Sequence, residues 1–140
     1  MMLVNISLKK FNEISTMTAC FLDRDGVFNV DLGYAYKEKN RIIIDGLIEA
    51  LKLLPNDNYK LFIVTNQSGV SRGLFTLESV ISFNEILISI LESEGIEISA
   101  SVICSHHFKA NESCNFRKPK PSAFTSYRTN HGYICDHLCL

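Results

Sequence analysis

Two short apolar runs that stop abruptly at polar residues constrain this chain more than anything else in it. Ala19-Cys20-Phe21-Leu22 runs into Asp23, and Lys60-Leu61-Phe62-Ile63-Val64 runs into Thr65. Unbroken runs of this kind suit parallel strands covered on both faces, with polar side chains delivered at their carboxyl ends. Between them, Ile48, Leu51, Leu53 and Leu54 follow Asp45-Gly46 and precede Pro55, which predicts a helix ending at the proline. Leu77 to Glu94 predicts a second helix, N-capped by Thr76 and C-capped at Gly95. Its expected apolar face is Ile81, Ile86, Leu87, Ile90 and Leu91. Ser99 to Ile103 reads as a third strand. Alternating strand and helix predict an α/β domain built on an open parallel sheet with helices on its faces. The ligand crevice of such a sheet lies beyond the carboxyl ends of its strands, where Asp23 and Thr65 both fall.

A chain of 140 residues has room for one domain. Its formal charge of -1 gives no electrostatic case for a nucleic-acid or membrane partner. No stretch approaches the roughly 18 apolar residues that span a bilayer. Lys9, Lys10, Asn12 and Glu13 interrupt the N-terminus, so it does not read as a secretory signal. A monomeric cytoplasmic protein is expected. Cys20, Cys104, Cys114, Cys135 and Cys139 are odd in number and unevenly spaced. They suggest no disulfide framework and leave thiolates for a metal.

Asp23-Arg24-Asp25-Gly26 sets two carboxylates two residues apart just past a buried strand. Alone, the segment is equally an ordinary exposed turn. The functional reading is a carboxylate pair around Mg2+, which offsets the repulsion between carboxylate and phosphate. Asp23 attacks phosphorus to form an aspartyl-phosphate, and Asp25 protonates the leaving oxygen and then activates water. Gly26 permits a sharp turn with amides open to a phosphate oxygen. The Thr65 hydroxyl, followed by Asn66, Gln67 and Ser68 at a turn, is suited to hold a phosphoryl group. Lys118 adds a point charge and Arg117 a fork for a second anionic group, although such a pair is in isolation more often solvated surface. The three segments occurring together, in this order and at these strand ends, favour phosphoryl transfer.

The residues then carry a family resemblance. Asp23-Arg24-Asp25-Gly26, Asn29, Asp31-Leu32-Gly33-Tyr34, Ile44-Asp45-Gly46, Thr65-Asn66-Gln67-Ser68-Gly69 and Arg72-Gly73 come first. Cys104-Ser105-His106-His107 and Cys114-Asn115-Phe116-Arg117-Lys118-Pro119-Lys120-Pro121 follow. In this order they resemble the D-glycero-D-manno-heptose 1,7-bisphosphate 7-phosphatases. That branch of the haloacid dehalogenase superfamily also resembles histidinol-phosphate phosphatases. The first motif is common to the superfamily; the Cys-x-His-His and Arg-Lys-Pro-Lys-Pro pieces are specific to the branch. The resemblance implies a Rossmann-like haloacid dehalogenase sheet, a Mg2+ cofactor held at Asp23 and Asp25, and a zinc-stabilised loop. It further implies Asp23 as nucleophile, Asp25 as acid/base, and Thr65 and Lys118 steadying the phosphoryl group. Arg117, Asn66 and the turn containing Asp31, Gly33 and Tyr34 would contact the sugar phosphate. The product would be a heptose 1-phosphate for bacterial lipopolysaccharide.

Two departures from the pattern stand out. Cys104, His106 and Cys114 match zinc ligands, but Phe116 stands where a fourth, a thiolate, is expected. Zinc would then be held by three protein ligands, with water or His107 in the fourth position. The pattern also continues past the lysine with a helix and two more core strands, one ending in Gly-Asp. Residues 125–140 read as an atypical tail too short for them, so the sheet is expected to be incomplete. Tyr133 to Asp136 only mimics such a strand end. Residues 19–124 are expected to form the partial phosphatase domain and 1–18 an extension. Within that extension, either Leu3 to Leu8 forms a strand covering the exposed edge of the first, or translation begins at Met17. The leading expectation is a sugar-phosphate phosphatase. Its alternatives are an impaired remnant that binds zinc or sugar phosphate, and an enzyme acting on histidinol phosphate or nucleic-acid ends.

Overall fold

The computed structural model describes residues 2–10, 13–30, 43–54, 59–107, 114–120 and 122. The expectations placed on Asp31, Gly33, Tyr34, Asp136 and the tail 125–140 lie outside these residues. In chain order the elements are β1 (Met2–Lys10), β2 (Glu13–Leu22), α1 (Leu47–Lys52), β3 (Tyr59–Asn66), α2 (Leu77–Ser93) and β4 (Ile98–Cys104). They build a four-stranded sheet in the order β1-β2-β3-β4.

β2, β3 and β4 are parallel, with Phe21 opposite Phe62 and Val64 opposite Val102. Strict alternation along these strands explains the unbroken apolar runs. Cys20, Leu22, Leu61 and Ile63 fall into one buried cluster, which Leu51 of α1 and Leu91 of α2 complete. Ala19, Phe21, Phe62, Val64 and Val102 form another, in which the Phe21 and Phe62 rings stack with centroids 5.0 Å apart. Both faces are buried over residues 19–22 of β2 and 61–65 of β3, as the sequence required, whereas β4 is mostly half-buried.

β1 adds an antiparallel edge to this parallel set, pairing Met2 with Phe21 at one end and Lys10 with Glu13 at the other. With only residues 11 and 12 between the strands, a parallel return is geometrically impossible. The strand anticipated at Leu3 to Leu8 is therefore present and somewhat longer. Among the described residues Thr18 to Leu22 of β2 pair with β3, and Glu13 to Met17 pair with β1 alone.

The helices differ from expectation in detail. α1 stops at Lys52, and Leu53, expected on its apolar face, is 84% exposed. α2 buries Val80, Phe83, Asn84, Leu87 and Leu91, while Ile81 points outward. Apolar residues surround most of this helix, so periodicity alone could not choose the inward stripe. The Thr76 hydroxyl caps α2 by accepting from the Ser79 amide at 3.2 Å. At the other end Gly95, at φ 80°, donates to Glu92 and Ile96 donates to Leu91. This double closure drops Ile96 into the cluster containing Leu91.

Candidate active site

The carboxyl ends of β2 and β3 and the segment 114–120 converge. Asp23 follows β2 directly, and its side chain is 48% exposed. Lys118 Nζ donates to Asp23 Oδ2 at 2.6 Å and to the Val64 carbonyl at 2.7 Å. The Asn66 side chain clamps the lysine backbone in place, accepting from Lys118 N at 3.1 Å and donating to Lys118 O at 3.2 Å. A half-exposed carboxylate and an ammonium thus meet beyond the strand ends, where an anionic group can reach both.

Asp25 sits differently. Its carboxylate accepts from Arg24 Nε at 3.1 Å, Arg24 Nη2 at 3.0 Å, Asn29 Nδ2 at 3.2 Å and Gln67 Nε2 at 2.6 Å. The same Gln67 nitrogen reaches Thr65 Oγ1 at 2.8 Å, so one amide joins the Asp25 carboxylate to the buried threonine hydroxyl. Sequence reasoning put Gln67 at the substrate and gave Mg2+ the carboxylates of both aspartates. In the structure Gln67 is buried as an internal brace, and the Asp25 oxygens are occupied by four donor groups. Gly26 also departs from expectation: it makes the sharp turn at φ 78°, but its amide donates to the Asn29 carbonyl at 2.8 Å. Gly69 is needed for closeness, since a Cβ there would lie 2.2 Å from the Phe75 ring. Ser68 stays at the turn, where its carbonyl accepts from the Arg72 amide and the Ser71 hydroxyl.

Sequence reasoning missed Arg24, Phe83 and Asn84. Arg24 is fully buried, stacks 4.9 Å over the Phe83 ring and donates to Asn84 Oδ1 at 3.0 Å. An arginine between two aspartates looks like surface charge, so nothing in the motif betrayed it. Asn84 did leave a trace, as the polar residue on the otherwise apolar stripe of Val80, Phe83, Leu87 and Leu91.

A second cluster lies at the end of β4. The ligating atoms of Cys104, His106 and Cys114 all lie within 4.8 Å of one another, and the two sulfurs are 3.6 Å apart. Tetrahedral zinc with sulfurs at about 2.3 Å holds a sulfur pair about 3.8 Å apart, so the donor set fits that ion. Burial, opposed by the His106 amide and reinforced by Cys114, pushes the Cys104 thiol up to about 11. Phe116 packs against both cysteines. Arg117 Nη1 donates to the His106 carbonyl at 2.7 Å and Lys120 Nζ to the Cys114 carbonyl at 2.8 Å. Arg117 therefore ties the lysine segment to this cluster, where sequence reasoning had it grip the substrate. For Mg2+, a hard cation served by oxygen, the half-exposed Asp23 carboxylate fits as a ligand. The Cys/His cluster is the one group of three potential metal ligands found among the described residues.

A parallel sheet that gathers an aspartate, a threonine and a lysine at its strand ends defines a haloacid dehalogenase-like phosphatase. The solved D,D-heptose 1,7-bisphosphate phosphatase from B. bronchiseptica, complexed with magnesium and phosphate, superposes with a TM-score of 0.68. It shows 28% identity over 77% of this chain and 60% of its own. A had-like phosphatase from Mesorhizobium loti gives 0.69 at 24% identity over 89% of this chain and 62% of its own, which supports the fold. D-glycero-beta-D-manno-heptose-1,7-bisphosphate 7-phosphatase from Vibrio cholerae is 42% identical over 115 residues, 79% of this chain and 62% of the relative. That from Helicobacter pylori is 38% identical over 123 residues, 87% of this chain and 69% of the relative. The polynucleotide kinase 3 phosphatase family model matches residues 29–133. The chain belongs to this haloacid dehalogenase-like phosphatase family, alongside the D-glycero-D-manno-heptose-1,7-bisphosphate 7-phosphatases. It spans about three fifths of the length of several curated relatives that it matches.

Proposed function

We propose that this chain is a phosphomonoester hydrolase that removes the 7-phosphate of D-glycero-D-manno-heptose 1,7-bisphosphate through an aspartyl-phosphate. The observation that carries the reading is the meeting of Asp23 and Lys118, 2.6 Å apart, beside the Thr65 strand end. The substrate is taken from the names of the relatives. In the first step an Asp23 oxygen forms a bond to phosphorus as the bond to the sugar oxygen breaks. Asp25 gives that oxygen its proton. In the second, Asp25 takes a proton from water, whose oxygen attacks phosphorus, releases inorganic phosphate and restores Asp23. Lys118 and the Thr65 hydroxyl hold the phosphoryl oxygens. A Mg2+ ion at Asp23 would offset the negative charge gathered there.

Ser68 and the turn at Asp31, Gly33 and Tyr34 complete the reading as the sugar-phosphate contacts, with Asn66 and Arg117 holding the Lys118 segment in place. Zinc at Cys104, His106 and Cys114 would fasten the loop that carries Lys118. We take residues 19–124 as the phosphatase domain and 1–18 as an extension. The product would feed bacterial lipopolysaccharide in the cytoplasm; no helix among the described residues is long and apolar enough to cross a membrane.

The test is Mg2+-dependent phosphate release from the heptose bisphosphate, with loss of release in Asp23→Asn. Turnover that persists in folded Asp23→Asn rejects the aspartyl-phosphate route. A second reading, binding of sugar phosphate without efficient turnover, draws on the described residues, which join no third carboxylate to Asp23 and Asp25. Sugar-phosphate binding without phosphate release at saturating Mg2+ would select it.

A further inference from the structure

Arg24 stands between the two aspartates yet is 0% exposed. A buried guanidinium is tolerated only where its donors are matched. Here Nε and Nη2 form a fork on Asp25 at 3.0–3.1 Å, and Nη1 donates to Asn84 Oδ1 at 3.0 Å. Asn84 is itself 3% exposed, and its Nδ2 donates to Ser101 Oγ at 2.9 Å. The bonds therefore run from Asp25 through Arg24 to the middle of α2, and on to β4. Phe83, one residue before Asn84, supplies the ring on which the guanidinium rests. From the other side Gln67 ties Asp25 to Thr65.

Packing alone does not require this arrangement, since an apolar residue at position 84 would continue the buried stripe of Val80, Phe83, Leu87 and Leu91. What the asparagine does supply is an acceptor that helps to fix the plane of Arg24. A planar fork in turn fixes the plane of the carboxylate it grips. We propose that Arg24 and Asn84 are positioning residues that aim Asp25, with Ser101 as the anchor on β4. This rests on the phosphatase reading, in which Asp25 moves the proton. The helix and the neighbouring strand then set the angle at which the proton is offered, and a small misalignment is expected to slow turnover more than it weakens binding.

The experiment compares wild type, Asn84→Leu, Ser101→Ala and Arg24→Lys, each checked for cooperative melting, in Mg2+-dependent hydrolysis of p-nitrophenyl phosphate and the heptose bisphosphate. Folded Asn84→Leu should lose about tenfold or more in kcat with KM changed by less than about twofold. Ser101→Ala should lose less, and Arg24→Lys, which keeps the charge but not the fork, should lose more. Asn84→Leu that melts earlier but keeps its kcat, or that changes KM alone, overturns the proposal. Should wild type release no phosphate, the phosphatase reading fails first, and hydrogen exchange at Arg24 Nε–H then decides the relay by itself. Exchange should be slow in wild type and at least about tenfold faster in Asn84→Leu. Equal exchange in the two proteins overturns the relay.

Discussion

The strand-end cluster and the Cys/His cluster sit at neighbouring ends of the same sheet but are held by different means. Gln67 bonds Asp25 to Thr65, and Arg24 bonds Asp25 to a buried helix face, while Asp23 receives Lys118 from the segment 114–120. The chain builds that geometry itself. Cys104, His106 and Cys114 instead bring three soft donors together, two of them sulfurs 3.6 Å apart, with Phe116 resting on the pair. An ion would add rigidity there beyond the bonds that Arg117 and Lys120 make to the His106 and Cys114 carbonyls. The difference teaches that phosphoryl chemistry needs a prebuilt frame, whereas a loop leaving a strand end can take added stiffness from a metal.

Each side of the comparison can be broken separately. The largest effect is expected from Asp23→Asn, which should cut phosphate release by about a thousandfold or more while the melting profile stays cooperative. Next, Arg24→Met leaves Asp25 without its buried partner. Urea titration should show a loss of about 3–5 kcal/mol, and a loss near zero would mean that the frame is held by other bonds. On the other side, Phe116→Cys should tighten zinc by about two orders of magnitude in chelator competition. One more thiolate is a quarter of a four-ligand site worth on the order of 10 kcal/mol. No change would mean that the coordination shell is already filled by another group. The smallest effect serves as a control: Thr76→Ala removes the cap of α2 and should cost about 1 kcal/mol in thermal unfolding. It should leave zinc affinity and phosphate release alone, because position 76 belongs to neither cluster.

The sequence revealed the parallel strands because Ala19 to Leu22 and Lys60 to Val64 are apolar on both alternating faces and then end in Asp23 and Thr65. The convergence of Lys118 on Asp23 was legible from motif order, and the Cys/His trio from residue type. What stayed hidden was direction. Nothing in the letters says that Gln67 turns inward to bridge Asp25 and Thr65, or that the Gly26 amide closes its own turn. Arg117 bonding back to the His106 carbonyl was equally unreadable, because a charged side chain reports its reach but not its target. The inward face of α2 was read in part, with Leu87 and Leu91 placed correctly and Val80 and Phe83 missed, because its apolar residues offer several candidate stripes. The one polar residue on the correct stripe, Asn84, was the clue.

The ten-residue β2 pairs with β1 from Glu13 to Phe21 but with β3 from Thr18 to Leu22. Toward Asp23 it lies within a sheet bound on both sides. Toward Glu13 it pairs, among the described residues, with β1 alone, and a two-stranded ribbon is marginally stable in water. Deuterium uptake should therefore advance along this strand from Glu13 towards Leu22. Wear would begin at the end remote from the chemistry, and the last backbone to loosen would be the stretch that aims the nucleophile.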